Sequence, residues 1–266
     1  MQQTTIKIAV IGAGNMGAAI VKGLASSNQT FSFDIRVSDI NQQALDALKL
    51  AVPDITINTS NEAVVKNADI IMLAVKPWLV EQVAATISDK IDYRNQIIVS
   101  IAAGIDLETL VSLFDDLAVL FRIIPNTAIE MKQSVSIISS YQADESQQQL
   151  IRSIFSLLGK VFFVPESQLN ALMSLSSCGI AYALQYIRAA MKGGVEMGLS
   201  PQLAKEAVMQ TLQGAVALLA ANDSHPEVEI DKVTTPGGIT IKGLNEMEAN
   251  GFTNAVIKGL KASHIK

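Results

Sequence analysis

The chain reads as an α/β protein: a doubly wound parallel sheet on the N-terminal side, followed by an all-helical C-terminal domain. Three observations carry this. The first 164 residues alternate short, apolar, β-branched runs with helical spacings, the pattern of βαβ units around a sheet buried on both faces. Strand-like runs then stop after "KVFFVP", and long stretches rich in Ala, Leu and Met follow. Between the first strand and the first helix stands Gly12-x-Gly14-x-x-Gly17. That triplet in a strand–turn–helix context is a Rossmann-like signal.

Each element has its own warrant. Ile6 to Ile11 is a short buried strand, and Met16, Ala19, Ile20, Gly23 and Leu24 fall at helical spacing as far as about Ser26. "FDIRVSD" (33–39) is the second strand, and "NQQALDALKL" is a helix with Asn41 as its cap. "DITIN" is a short strand and "SNEAVVKNA" a short helix; "DIIMLAVKP" is a continuous apolar strand stopped by Pro77. "LVEQVAATISDKI" is a helix, "NQIIVSIAAG" a strand and "DLETLVSLF" a helix. "DLAVLFRIIP" and "SVSIISS" are strands, "DESQQQLIRSIFSLLG" an amphipathic helix, and "KVFFVP" the last strand. The change in composition places a boundary between a dinucleotide-binding domain, 1–164, and a helical domain, 165–266. The helical domain opens on one long helix. Ser200-Pro201 starts another, with serine as cap and proline in the first turn. "NDSHPEVEIDKVTTPGG" reads as a loop, and two shorter helices finish the chain.

Composition narrows the function classes. Hydrophobic residues make up 49% and charged residues 17%, at the apolar end for a soluble protein, so the helical domain is expected to bury surface against a second copy. A net charge of -5 offers no basic footprint for nucleic acid. The single cysteine, Cys178, excludes an intrachain disulfide and suits a reducing compartment. No run of about 18 apolar residues suggests a membrane span. The first residues enter a strand almost directly, so no secretory signal is expected.

The residues with chemistry to offer follow the strands. In the glycine loop, Gly12 permits the tight turn, Gly14 lets a pyrophosphate approach the backbone, and Gly17 lets helix and strand close up. Asp39 lies 22 positions beyond Gly17, where a carboxylate would accept from an adenosine ribose and repel a 2′-phosphate, favouring NADH. Its competing role is to cap the next helix. Lys76, in "AVKP", is a candidate cation, and the small residues of "SIAAG" (100–104) let a flat ring lie close. "SLSSCGIAY" sets hydroxyls inside an apolar helix, where serine is a poor choice unless something uses it. "TTPGGITIKGL" is a glycine turn opening a helix, either a simple cap or a second anion site for a small carboxylate. The two histidines, His225 before a proline and His264 near the end, show no metal-ligand spacing and suggest no Ser-His-Asp set, and hydride transfer needs neither.

Taken in order, "IGAGNMG", "AVKP", "SIAAGI", "IPNTA", "LSSCGIAY", "DKVTTPGGIT" and "GLNEMEANGF" resemble the Δ1-pyrroline-5-carboxylate reductase family from the first strand to the last helix. The resemblance implies NADPH- or NADH-dependent reduction of 1-pyrroline-5-carboxylate to L-proline, with NADPH common in the family and Asp39 leaning to NADH. It implies cofactor contacts at Ile11, Gly12, Ala13, Gly14, Asn15 and Met16. Further contacts are implied at Ser38, Asp39 and Asn61, at Ala74, Val75, Lys76 and Pro77, and at Ile101, Ala102 and Ala103. Ser176 would face the substrate, whose carboxylate the Gly237–Gly238 turn and Thr240 would hold. Thr240 is the candidate catalytic residue, donating to the ring nitrogen or the carboxylate. No metal is implied. The resemblance also implies a homodimer through the helical domain, and many members form decamers; this chain is expected in the cytoplasm. The chain departs from the family at Cys178, Ile180 and Ala128, where serine, a helix-bending proline and a second proline are usual. The alternatives are a related imine or β-hydroxy-acid reductase, for which Lys192 is the one lysine on the long helix, and a non-catalytic dinucleotide sensor.

Overall fold

The computed structural model describes residues 5–27 and 31–264. In order, the elements are β1 (Thr5–Ile11), α1 (Asn15–Ala25), β2 (Ser32–Ser38), α2 (Gln42–Ala51), β3 (Thr56–Asn58) and α3 (Asn61–Val65). Next come β4 (Ile70–Leu73), α4 (Val80–Ile87), β5 (Ile97–Ser100), α5 (Leu107–Leu113), β6 (Val119–Ile124), β7 (Ser134–Tyr141), α6 (Glu145–Ser156) and β8 (Gly159–Phe163). Five helices follow: α7 (Glu166–Glu196), α8 (Pro201–Asn222), α9 (Pro226–Lys232), α10 (Ile239–Ala249) and α11 (Phe252–Ala262).

The eight strands form one sheet in the order β3-β2-β1-β4-β5-β6-β7-β8. The chain builds outward from β1 in one direction, then restarts at β4 on the other side of β1. The strand order therefore reverses between β1 and β4, and a crevice opens beyond their C-terminal ends. β4 and β5 are buried along their whole length, which is why they read as unbroken apolar runs. One face of the sheet buries Ile8, Val10 and Phe121 in a core shared with Ile20 of α1, Leu45 of α2 and Phe155 of α6. The other buries Ile71, Leu73, Ile98 and Leu120 against α3, α4 and α5.

Two sequence expectations are corrected. The sheet is not wholly parallel, because β7 pairs antiparallel to β6. The connection at 125–133 holds only a 3-10 turn, Thr127–Met131, and is shorter than the roughly dozen residues a parallel crossover needs. The stretch expected to be a loop at 222–238 contains α9. Its start is marked: Pro226 occupies the first turn, Glu227 and Glu229 favour the helix N-terminus, and His225 Nδ1 accepts from the Glu227 N–H. The helix has too few residues for a hydrophobic period to show.

The chain divides into two compact units, Met1–Ser177 and Cys178–Lys266. The composition changes earlier, at residue 165, just before α7 begins. In the first unit, the opening turns of α7 seat Leu169 on Ile124 and Ile137. Glu166 there accepts from Arg122 Nη1 at 2.7 Å and from the Leu107 N–H at 2.8 Å, tying β6 and α5 to the helix. In the second unit, Tyr182 Oη donates to Gly259 O. Leu203, Met209, Val216 and Leu218 on α8 lie exposed, as do Val256 and Ile257 on α11.

Candidate active site

The crevice at the sheet's switch point is a cleft of about 890 Å³. It is lined by the glycine loop, the ends of β2 and β4, the segment after β5, one face of α4, and Pro125, Met173 and Ser177. Of the residues expected to meet a cofactor, all line this cleft except Ala13, which is buried beneath it.

The glycines divide by what surrounds them. Gly12 has φ +112°, and a Cβ there would lie 2.4 Å from Ala74 O. A Cβ on Gly17 would lie 2.1 Å from Gly12 O. Both are therefore required by the protein's own backbone. Gly14 is different: it is exposed and a Cβ would meet nothing within 4 Å. Its bareness serves space outside the fold, on the cleft side. Gly14 is also the cap of α1 without a side-chain bond, and the first turn holds no acid, so the helix's first N–H groups remain free for an anion. These features fit a dinucleotide pyrophosphate.

Beside the loop, the Gly12 N–H donates to Ser38 O at 2.7 Å and the Ala13 N–H to Asp39 Oδ2 at 2.7 Å. Asp39 Oδ1 accepts from the Asn41 N–H at 2.8 Å, so the carboxylate bonds the loop on one side and the start of α2 on the other. Ser38 is fully buried, and its hydroxyl donates to Asn61 Oδ1 at 2.8 Å. Lys76 is exposed on the rim, and Trp78, 76% exposed, stands between the lining residues Pro77 and Leu79. Ala102 and Ala103 give the cleft a small-residue floor.

The hydroxyls of α7 do have uses. Ser177 Oγ donates to Pro125 O at 3.1 Å, and Asn126 Nδ2 donates to Ser176 O at 3.3 Å, which fixes the turn after β6 against the helix. Ser176 turns its own hydroxyl onto Leu172 O within the helix, and Ser177 is the serine that lines the cleft. Sequence reasoning also missed Asn41, Gln82 and Thr86. The last two line the cleft only because of how α4 packs, and nothing in their spacing marks it.

In the second unit, residues Thr235 to Gly238 form a tight turn closed by the Gly238 N–H on Thr235 O at 2.9 Å. Pro236 precedes Gly237, whose φ is +71°, the arrangement of a type II turn. Gly238 caps α10 without a side-chain bond, and Thr240 is exposed in its first turn. The turn thus presents free backbone N–H groups and a hydroxyl together. Among the described residues, no group of three His, Cys, Asp or Glu side chains could hold a metal ion, and no helix is long and apolar enough to cross a membrane.

Fold and cleft together define an oxidoreductase that works with a nicotinamide dinucleotide. Residues 166–266 match the pyrroline-5-carboxylate reductase dimerisation family, and residues 7–104 match the NADP oxidoreductase coenzyme F420-dependent family. Pyrroline-5-carboxylate reductase 1 of Dictyostelium discoideum is 37% identical over 97% of this chain, which spans about half, 49%, of that relative. Pyrroline-5-carboxylate reductase 2 of the same organism is 32% identical, covering 96% of this chain and 90% of the relative. The crystal structure of a Plasmodium falciparum pyrroline carboxylate reductase with NADP bound superposes with a TM-score of 0.86 at 26% identity, covering 97% of this chain and 95% of that one. The chain belongs to the pyrroline-5-carboxylate reductase family.

Proposed function

We infer that the protein reduces 1-pyrroline-5-carboxylate to L-proline with NADPH or NADH, the last step of proline synthesis. The observation that carries this is that one chain, with near-full-length relatives in that family, contains both a cleft shaped for a dinucleotide and a Thr-Thr-Pro-Gly-Gly turn opening α10.

The cofactor, when bound, supplies a hydride to the imine carbon, and the ring nitrogen takes a proton. The chain's own residues do the rest. Gly14 and the free N–H groups of α1 hold the pyrophosphate. Ala102 and Ala103 leave room for the flat ring. The Gly237–Gly238 turn and the first N–H groups of α10 hold the substrate carboxylate at the positive end of the helix dipole. Thr240 Oγ1 donates to the carboxylate or the ring nitrogen. A cyclic imine can arrive already protonated, so a strong general acid is not required.

On this reading residues 1–164 are the dinucleotide-binding domain and 165–266 the substrate and dimerisation domain. The exposed apolar side chains of α8 and α11 support a homodimer through the helical domain, and dimers could stack into decamers. The site of action is the cytoplasm, with no nucleic-acid partner.

Oxidation of NADPH and NADH, followed in parallel with pyrroline-5-carboxylate, tests the assignment. Turnover with either cofactor supports it. Binding of cofactor without turnover overturns it in favour of a sensor or a reductase of another substrate. Thr240→Ala is expected to lower kcat/KM about tenfold, from the loss of one hydrogen bond to a charged group. A loss within about twofold would remove Thr240 from that role.

A further inference from the structure

We propose that Asp39 is a positioning residue that latches the glycine loop, and that the choice between NADPH and NADH falls instead to the carboxamide of Asn41. The proposal rests on the assignment of the cleft to NAD(P)H and deepens it.

From the sequence, Asp39 stands where a carboxylate would meet an adenosine ribose. The structure gives it other work. One oxygen accepts from the Ala13 N–H and the other from the Asn41 N–H, at 2.7 and 2.8 Å. Both bonds pair a full negative charge with a backbone donor, the stronger kind of hydrogen bond. The side chain is thus stretched between the loop after β1 and the cap of α2. It cannot swing to follow a ribose without releasing one of them. With the bond from the Gly12 N–H to Ser38 O, it sets the loop's shape in folding, so that ordering is not charged against cofactor binding.

The neighbouring carboxamides face the other way. Asn41 Oδ1 accepts from the Ala44 N–H at 3.3 Å, and Asn61 Oδ1 accepts from Ser38 Oγ. With each carbonyl oxygen committed, each side chain is left with its NH2 group to offer to the cleft it lines. Lys76 on the same rim adds an ammonium group. Two amide donors and a cation match a phosphate monoester, which has only acceptors. Of the two carboxamides, Asn41, exposed at the rim, is the one that a cofactor's 2′-substituent can reach without disturbing a bond to the buried Ser38.

The test is calorimetric binding of NADPH and NADH to the full chain without substrate, with Tm measured on the unliganded variants. Asp39→Asn keeps the size but sets an NH2 group against a backbone N–H. Both dissociation constants are expected to rise together by about tenfold, with a lower unliganded Tm. Asn41→Asp keeps an equally good helix cap and replaces a donor with a charge that repels phosphate. It is expected to weaken NADPH by about tenfold or more while NADH stays within about threefold. A shift of the NADPH-to-NADH ratio by about tenfold in Asp39→Asn would show that Asp39 reads the ribose, and overturns the proposal. An unchanged ratio in Asn41→Asp overturns it too, and that variant carries the test alone if Asp39→Asn does not fold. A wild-type chain that binds neither cofactor overturns the assignment of the cleft itself, a different result from either.

Discussion

At the scale of single residues, the glycine triplet separates two demands that look alike in a sequence. Gly12 and Gly17 are bare because backbone oxygens lie within 2.4 and 2.1 Å of where a Cβ would stand; Gly14 is bare although nothing of the protein is near. Gly12→Ala is therefore expected to destabilise the fold by several kcal/mol, on the order of 3, through the clash and the positive φ. Gly14→Ala should leave Tm within about 2 °C of wild type while raising the KM for either cofactor about tenfold or more, because its Cβ meets only the ligand. Equal losses of Tm in the two variants would refute this division. The loop itself was legible from its spacing. The partner of the Ala13 N–H was not, since the direction of one backbone donor depends on where β2 ends in space. For the same reason Asp39 pointed, on sequence alone, to a ribose.

At the scale of elements, the eight strands of the described residues were legible because most are short apolar runs ended by a polar or breaking residue, and because strand-like and helical segments alternate. The direction of β7 had its signal in the length of the connection before it, and α9 had its signal in a proline followed by acids. Neither signal is hydrophobic periodicity, the cue on which the sequence reading leaned. The contact of α7 with the sheet had no such cue. Arg122 is buried at 6% side-chain exposure, and Glu166, 32% exposed, accepts its bond from the first turn of α7. Glu166→Ala leaves a buried guanidinium without its acceptor and should cost about 2–4 kcal/mol in urea unfolding; a cost below about 1 kcal/mol would mean the pair is not holding the helix. The joint between α8 and α9 is sensitive to acid. Glu229 accepts from Lys232 Nζ at 2.8 Å, from Ser224 and from Asn222, and these bonds hold its carboxyl down at about 2. A depressed carboxylate stabilises fully above its ordinary value near 4.5, and the contribution fades as pH falls towards about 2. The Tm gap between wild type and Glu229→Gln should therefore be widest near neutrality and close in acid. A gap independent of pH would show that the loss is one of shape and not of charge.

At the scale of the whole molecule, the helical unit leaves apolar side chains in water that a lone chain has no means to cover: Val216 is 67% exposed and Leu218 51%. Sedimentation of the wild-type chain should show a dimer or a multiple of one. Val216→Asp with Leu218→Asp should shift it towards monomer while the sheet domain keeps its far-ultraviolet signature. A wild-type monomer, or variants that sediment unchanged, would place the interface elsewhere. The excess of apolar helix surface was legible from composition, but its distribution over α8 and α11 was not, because no period marks which face stays uncovered.

Trp78 is the one tryptophan of the chain, and it stands exposed between two residues that line the cleft. Indole emits where reduced nicotinamide absorbs, so the protein contains a matched donor for its own ligand. Titrating NADPH or NADH should quench the indole emission and raise the nicotinamide's in step, by resonance energy transfer. The oxidised cofactors, lacking that absorption, should give no such sensitised glow. Trp78→Phe should leave binding intact and the signal dark, so occupancy of the cleft can be followed by light with no label added.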